Sequence, residues 1–381
     1  MQTQQVMVTG ASGFLGRHMV EALSRREGCS VVTIDRRSSA EDLRAGLENV
    51  VTIWHLAGVN RPKNEVEFET GNELFTKELL GMLRVMDRRP TIVFSSSIQA
   101  TLDNPYGRSK RMAEVAIEDW ASETGSHALI FRLPNLFGKW CRPNYNSVTA
   151  TFCHNIANGL PITVADPARQ LELAYVDDVV AAMVSEVPCT PVSLAPGICK
   201  TRWPQIPRSF QVTLGELASR ISAFREMRTS LKVPDFGDDL NRCLYATYLS
   251  HLSPSDFAYS LDRKSDSRGS LAEFVKLQSG GQIFVSRTGP GITRGNHYHH
   301  TKTEKFLVLE GEAVVRFRAL FGTEVIEHRV DGRDFRVIDI PPGYTHSIEN
   351  SGKGDLVTLF WANEVFEPSR PDTYFLPVLP A

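Results

Sequence analysis

Four side chains in the C-terminal third are of the kind that hold a metal. In the run "NHYHHTKTEKFLVLEG", His297 and His299 are two residues apart, and Glu304 follows after a polar turn. On a strand that spacing points both imidazoles to the same face. His346 comes later, behind the Pro-Gly turn of "PPGYTHSIEN". Three imidazoles and one carboxylate converging inside a small barrel would hold a divalent cation with positions left open for substrate. Zinc is the first expectation, because nothing in the pattern asks for redox chemistry; iron, nickel and manganese suit the same donors. His300 alternates to the opposite face, where it is as readily a surface or supporting residue as a ligand. The bland alternative is a group of solvated histidines in a turn.

A second set stands at the other end. "GASGFLG" places Gly10, Gly13 and Gly16 between the apolar run "QVMVTG" and a helical pattern. Glycines there let the backbone approach a pyrophosphate seated on the helix N-terminus, and Asp35, closing the next apolar run, is placed to accept a ribose hydroxyl. Arg36 and Arg37 follow and could meet a 2′-phosphate, which tilts the expectation from NAD to NADP(H); the alternative is two solvated arginines. "YGRSK" adds Tyr106 and Lys110 on one helix face. A neighbouring lysine and a cationic nicotinamide lower a phenol's pKa, so that it can trade a proton with a carbonyl or alcohol. "FSSS" upstream offers the hydroxyl for the substrate oxygen, with Ser97 expected and Ser96 open.

The elements that must position these groups divide the chain in two. "SVVTID", "NVVTIWHLAG", "PTIVFSSS" and "SHALIFRLPNLFG" read as buried strands alternating with helices over 13–28, 72–88 and 109–122, which predicts a doubly wound, Rossmann-type parallel sheet. From about 255 the chain turns to short β runs such as "LAEFVKL", "GQIFVSRT", "KFLVLEG", "EAVVRFRAL", "RVIDIP" and "VTLFWAN", separated by glycine, proline and polar turns, which predicts a small all-β barrel. The expected domains are 1–250 and 251–381. The chain has 381 residues, 42% of them hydrophobic, with a net charge of -2, so nothing points to a nucleic-acid or membrane surface. No apolar run approaches the roughly 18 residues of a membrane helix, and "MQTQQVMVTG" does not read as a signal peptide. Six scattered cysteines without a CxxC pair read as reduced thiols of a cytoplasmic protein.

These residues resemble the extended short-chain dehydrogenase/reductase family of nucleotide-sugar enzymes, whose landmarks match "HLAG", "RLPNLFG" and "YVDDVV". The resemblance implies that Ser12, Phe14 and Leu15 of the glycine loop, with Leu56 and Ala57, line the cofactor beside Lys110, and that Asn135 and Arg142 meet the sugar nucleotide. Family dehydratases carry an acidic pair after the catalytic Ser/Thr; here Ile98 and Gln99 follow Ser97, which leaves reduction or epimerisation. The C-terminal run is similar to the cupins: Gly291, His297, His299, Glu304 and Gly311 match the first cupin motif, and Pro341, Gly343, His346 and Asn350 the second. Phe335 replaces the glycine that usually opens the second motif. "DSRGSLAEF" (266–274) resembles cupins that isomerise or epimerise nucleotide-linked keto-sugars.

In this order the two halves resemble the family of bifunctional capsular polysaccharide synthesis enzymes, UDP-keto-sugar epimerase/reductases. "HLAGVNRP", "SSSIQATLDNPYG", "PNLFGKWCRPNYNSV", "GNHYHHTKTEKFLV" and "PDTYFLP" carry that likeness. It implies that a UDP-linked 4-keto-6-deoxy amino sugar is epimerised at C3 in the cupin and then reduced at C4 by NADPH. The product would be UDP-N-acetyl-6-deoxytalosamine, on the way to N-acetyl-L-fucosamine. Tyr298 and His300 are candidate bases, and a homodimer is expected. Three rivals stay open: an iron oxygenase, a C4 epimerase or reductase with a sugar-binding cupin, and an NADP-sensing protein without chemistry.

Overall fold

The computed structural model describes residues 3–187, 201–266, 269–272, 275, 281–364 and 368–380. From the N-terminus run β1 (Gln4–Thr9), α1 (Phe14–Ser24), β2 (Cys29–Ile34), α2 (Ala40–Leu47), β3 (Val50–His55), α3 (Val66–Phe68), α4 (Phe75–Val85), β4 (Thr91–Ser97) and α5 (Pro105–Thr124). There follow β5 (Ala128–Leu133), β6 (Asn135–Phe137), α6 (Val148–Ala157), β7 (Gln170–Tyr175), α7 (Val176–Ser185), β8 (Thr201–Arg202), β9 (Phe210–Thr213), α8 (Leu214–Ser230) and α9 (Asp239–Leu249). The chain then gives way to strands: β10 (Ala258–Ser260), β11 (Arg263–Asp266), β12 (Gly269–Ala272), β13 (Gln282–Thr288), β14 (Thr293–Tyr298), β15 (Glu304–Glu310) and β16 (Glu312–Ala319). The last are β17 (Val325–Asp331), β18 (Arg336–Ile340), β19 (Tyr344–Asn350), β20 (Leu356–Ala362) and β21 (Tyr374–Phe375).

Two compact units result, one of Met1–Phe137 with Leu171–Gln211, the other of Gly138–Gln170 with Val212–Ala381. This division differs from a single cut near 250, because side chains before that point pack with the C-terminal strands. Arg228 of α8 pairs with Asp339 of β18 at 2.8 Å, Phe236 meets Trp361 of β20 at 5.9 Å between ring centroids, and Trp140 meets Phe321 edge-on at 4.6 Å.

The first unit is built on a parallel sheet in the order β2-β1-β3-β4-β5-β8. Consecutive strand residues serve opposite faces. Met7, Ile53, Phe94 and Ile130 pack with Leu79, Leu83, Ile117 and Trp120 of α4 and α5 on one side. Their neighbours Val8, Trp54, Val93 and Phe131 pack with Met19 of α1 and with Val179 and Met183 of α7 on the other. Each such aliphatic side chain contributes about 1.5–3 kcal/mol on burial, and two covered faces explain the continuous apolar runs in the sequence. Strand order reverses beside β1, so the ends of β1 and β3 flank the crevice where doubly wound sheets bind ligands.

The second unit holds two antiparallel five-stranded sheets, β10-β18-β15-β20-β13 and β17-β16-β19-β14-β21. Of the "DSRGSLAEF" run, Asp266 and Gly269–Ala272 lie in the β11–β12 hairpin, while Ser267, Arg268, Glu273 and Phe274 fall outside the described residues. "LAEFVKL" is likewise described only in part. Among the described residues Cys141 and Cys153 are buried free thiols; Cys189 and Cys199 lie outside the described residues. Among the described residues no helix is long and apolar enough to cross a membrane.

Candidate cofactor site and metal centre

In the first unit the glycine loop is shaped by close approach. Gly10 has φ 68°, and a Cβ on it would stand 2.7 Å from the Ala57 Cα. On Gly16 a Cβ would stand 2.0 Å from the Gly10 carbonyl oxygen. The structure thereby brings Gly10 against the backbone of Leu56 and Ala57, and Gly13 over the Gly10 carbonyl. Helix α1 starts at Phe14 with Gly13 as N-cap and no side-chain cap. Its first N–H groups, from Phe14, Leu15 and Gly16, are donors of the kind that bind phosphate. Asp35 ends up in a turn, where its Oδ1 accepts the Arg37 N–H at 2.8 Å; Arg36 and Arg37 are both exposed beside it. The cradle fits a dinucleotide.

Helix α5 begins earlier than the apolar period suggested. Asn104 caps it by accepting the Gly107 N–H at 2.7 Å, Pro105 takes the first turn, and Gly125 ends it in the left-handed conformation. That start places Tyr106 in the first turn, close to the Ser97 hydroxyl, which accepts the Gln99 N–H at 3.1 Å. Burial raises the Tyr106 pKa and the nearby Ser97 hydroxyl opposes the rise. Lys110 donates to the Ser95 carbonyl at 2.8 Å and lies 4.8 Å over the Phe94 ring. Burial lowers its pKa to about 8, against the pull of Glu114. Ser96 turns elsewhere, donating to Glu114 at 2.6 Å, which leaves Ser97 as the serine on the tyrosine's side. His55 bridges Thr9 and Thr76 at 2.8 and 2.9 Å, and burial followed by the Lys110 charge lowers its pKa to about 3. Asn135 opens β6 and is exposed, paired in register with Leu173. Arg142 belongs to the other unit, where its guanidinium lies over the Tyr145 ring at 5.2 Å.

In the second unit the four expected ligands meet: one donor atom from each of His297, His299, Glu304 and His346 lies within 4.8 Å of the others. A bulge achieves this. The β14–β19 register slips between Gly295 and His297, leaving Asn296 at φ 55° and setting His297 directly opposite His346. The bulge is pinned by the C-terminal segment, where the Leu376 N–H donates to the Asn296 carbonyl at 2.8 Å and the Val378 N–H to its Oδ1 at 3.1 Å. Glu304 opens β15, and its Oε2 stands 3.4 Å from His299 Nε2 and 3.5 Å from His346 Nε2. Both separations are long for hydrogen bonds, and both nitrogens are buried without a hydrogen-bond partner. Burial lowers the pKa of His297 to about 3 and that of His346 below its usual value, with the neighbouring imidazoles adding to the effect. Three imidazoles and a carboxylate converging here fit a divalent cation.

Asp372 was not among the residues singled out from sequence. Its carbonyl accepts from His299 Nδ1 at 2.6 Å, which turns Nε2 into the cluster. Its carboxylate accepts the N–H groups of His300, Thr301 and Lys302 at 3.0, 2.8 and 2.7 Å. The only signal was its place in "PDTYFLP". His300 and Tyr298 pack edge-on at 5.6 Å and contact Tyr374 at 5.1 and 5.4 Å. Phe335, standing for a glycine, takes φ 47°, so the turn keeps the left-handed conformation at the cost of local strain.

The NAD dependent epimerase/dehydratase family model matches residues 6–186, and the polysaccharide biosynthesis C-terminal domain model matches 264–374. The chain is 42% identical over 370 residues to a UDP-2-acetamido-2,6-beta-L-arabino-hexul-4-ose reductase of Pseudomonas aeruginosa, covering 97% of this chain and 98% of that protein. It is similar to the crystal structure of the capsular polysaccharide assembling protein CapF from Staphylococcus aureus, with 43% identity, a TM-score of 0.65, and coverage of 98% of this chain and 100% of that one. A second crystal form of the Staphylococcus aureus protein gives 39% identity and a TM-score of 0.59 over 98% and 99% of the two chains.

Proposed function

The chain belongs to the family of CapF, the capsular polysaccharide assembling protein, and from that membership we propose a cytoplasmic, homodimeric enzyme with two reaction sites. It is an NAD(P)-dependent oxidoreductase and epimerase of nucleotide sugars. The proposed substrate is UDP-2-acetamido-2,6-dideoxy-4-hexulose, inverted at C3 in the second unit, read as a cupin, and then reduced at C4 in the first. UDP-N-acetyl-6-deoxytalosamine leaves, a precursor of N-acetyl-L-fucosamine for capsular or O-antigen polysaccharide. The convergence of four donors within 4.8 Å, in a unit separate from the glycine loop, carries this reading, since a reductase alone has no use for it.

In the second unit His297, His299, Glu304 and His346 would hold the cation, zinc first. A divalent metal there supplies Lewis acidity toward the C4 ketone, which makes the C3 proton easier to remove. Asp372 keeps the His299 lone pair aimed inward. Tyr298 and His300 are the candidates to take the C3 proton as base, and a proton returned to the other face would invert C3. In the first unit the nicotinamide, preferred as NADPH through Arg36 and Arg37, supplies hydride to C4. Tyr106 gives its proton to the C4 oxygen, Ser97 holds that oxygen by hydrogen bond, and Lys110 supports the phenolate left behind. Asn135 and Arg142 are assigned to the sugar nucleotide. Reduction traps the inverted sugar, because an alcohol at C4 no longer acidifies C3.

The test is incubation with the UDP-4-keto sugar and NADPH, with the product read by proton NMR. NADPH oxidation with a C3-inverted, C4-reduced product is expected. An alcohol unchanged at C3, or a C4 epimer formed without net NADPH oxidation, would refute the reading.

A further inference from the structure

We infer that Glu114 is a positioning residue for the reductase, locking the helix that carries Tyr106 and Lys110 onto the strand that carries Ser97. This rests on the catalytic assignment proposed above. Glu114 is the third member of a series along α5 spaced four residues apart: Tyr106, Lys110, Glu114. Its side chain is 0% exposed. A carboxylate so buried is costly unless every oxygen is occupied. Here each is. Oε1 accepts from the Ser96 hydroxyl at 2.6 Å and from Arg132 Nε at 2.9 Å. Oε2 accepts from Arg132 Nη2 at 2.7 Å and from Arg111 Nη1 at 3.0 Å.

The donors stand on separate elements. Ser96 of β4 and Arg132 of β5 are partners in the parallel register, so one carboxylate joins the helix to two adjacent strands at a single rung. Arg132 also lies over the Trp203 ring at 4.7 Å. Two side chains of α5 thereby grip adjacent serines, Lys110 the Ser95 carbonyl and Glu114 the Ser96 hydroxyl, and Tyr106 stands close to the next one, Ser97. A paired-fork contact to a guanidinium fixes direction as well as distance. Any slide or roll of α5 that separated Tyr106 from Ser97 would first have to break the contacts of Glu114. The same carboxylate favours the charged form of Lys110, which burial opposes.

The experiment uses the full chain with the UDP-4-keto sugar and NADPH, comparing Glu114→Gln, Ser96→Ala and Tyr106→Phe. Glutamine keeps the shape and loses the charge. In Glu114→Gln we expect kcat to fall on the order of 10²-fold, the cost of a small misplacement of reacting groups. The NADPH dissociation constant, followed by fluorescence, should hold, and the alkaline limb of the pH profile should move to lower pH. Ser96→Ala should lower kcat several-fold without moving that limb, because the charge remains, and it carries the test if Glu114→Gln does not fold. Wild-type kcat in the folded Glu114→Gln protein, or in Ser96→Ala where that variant fails to fold, overturns the positioning role. So does a fall in kcat matched by an equal loss of NADPH binding. Tyr106→Phe separates the two layers. Full turnover in that variant removes the catalytic assignment itself, whereas an inactive Tyr106→Phe beside a wild-type-like Glu114→Gln removes only the role of Glu114.

Discussion

The two candidate sites differ in how far their own side chains satisfy them. Around Tyr106 the polar groups are paired: Lys110 with the Ser95 carbonyl, Ser96 with Glu114, His55 with Thr9 and Thr76. In the histidine cluster, His299 Nε2 and His346 Nε2 are buried without a hydrogen-bond partner, each with a Glu304 oxygen at 3.4 and 3.5 Å. Leaving such a group unmet costs about 1–3 kcal/mol. On the reading proposed above, the first site is a frame for cofactor and substrate and the second takes a cation, so removing metal and removing cofactor should have unlike consequences.

The largest effect expected is on the first site. Tyr106→Phe should cut NADPH oxidation by ~10²–10⁴, the usual worth of a general acid, with no loss of melting temperature. For the second site, His297→Ala/His299→Ala should abolish stoichiometric metal, measured by elemental analysis after dialysis, and stoichiometric retention would refute the ligand set. The contrast sharpens further with Asp372→Ala, which keeps the backbone carbonyl on His299 Nδ1 but removes the carboxylate that holds that segment to the N–H groups of His300, Thr301 and Lys302; metal affinity should weaken by up to ~10-fold while NADPH turnover of a pre-epimerised sugar is unchanged. Chelation should likewise lower the melting temperature, and NADPH should not restore it.

Acidity distinguishes the sites as well. Lys110 is cationic below about 8 and neutral above, so reductase kcat/KM should decline as pH rises through that value. Its folded pKa lies below the 10.5 of the exposed group, so the unfolded chain keeps this proton longer. The burial penalty that the Lys110 charge imposes on the fold is therefore full below about 8 and is relieved between about 8 and 10.5, so activity should be lost in a range where stability rises. The smallest effect concerns cofactor choice. Arg36→Ala/Arg37→Ala should lower the NADPH over NADH preference roughly tenfold, the worth of one or two charged hydrogen bonds. Equal kcat/KM for both cofactors in the wild type would mean that Asp35 decides.

Much of this was legible because the signals are local. Glycines before a helix, Tyr106 four residues before Lys110, and two histidines with a glutamate around one turn are spacings that a strand or helix converts directly into geometry. What escaped was set by distant chain. Nothing around Ser96 and Ser97 says which faces Tyr106; the answer lies with Glu114 on a helix and Arg132 on the next strand. Asp372 orients His299 from 73 residues away. The packing of Gly138–Gln170 and of α8 and α9 with the C-terminal strands is equally invisible in periodicity, since an apolar helix face does not name its partner.

Independence of the two chemistries is the central claim, and hydrogen exchange at C3 tests it most directly. Each variant is incubated in D₂O with the UDP-4-keto sugar, and loss of the C3 proton signal is followed by NMR. Tyr106→Phe should exchange C3–H at the wild-type rate while failing to oxidise NADPH. His299→Ala should lose exchange yet still reduce the ketone, giving the alcohol unchanged at C3. If Tyr106→Phe also stops exchange, or if His299→Ala leaves it unaltered, the account of two separate sites is contradicted.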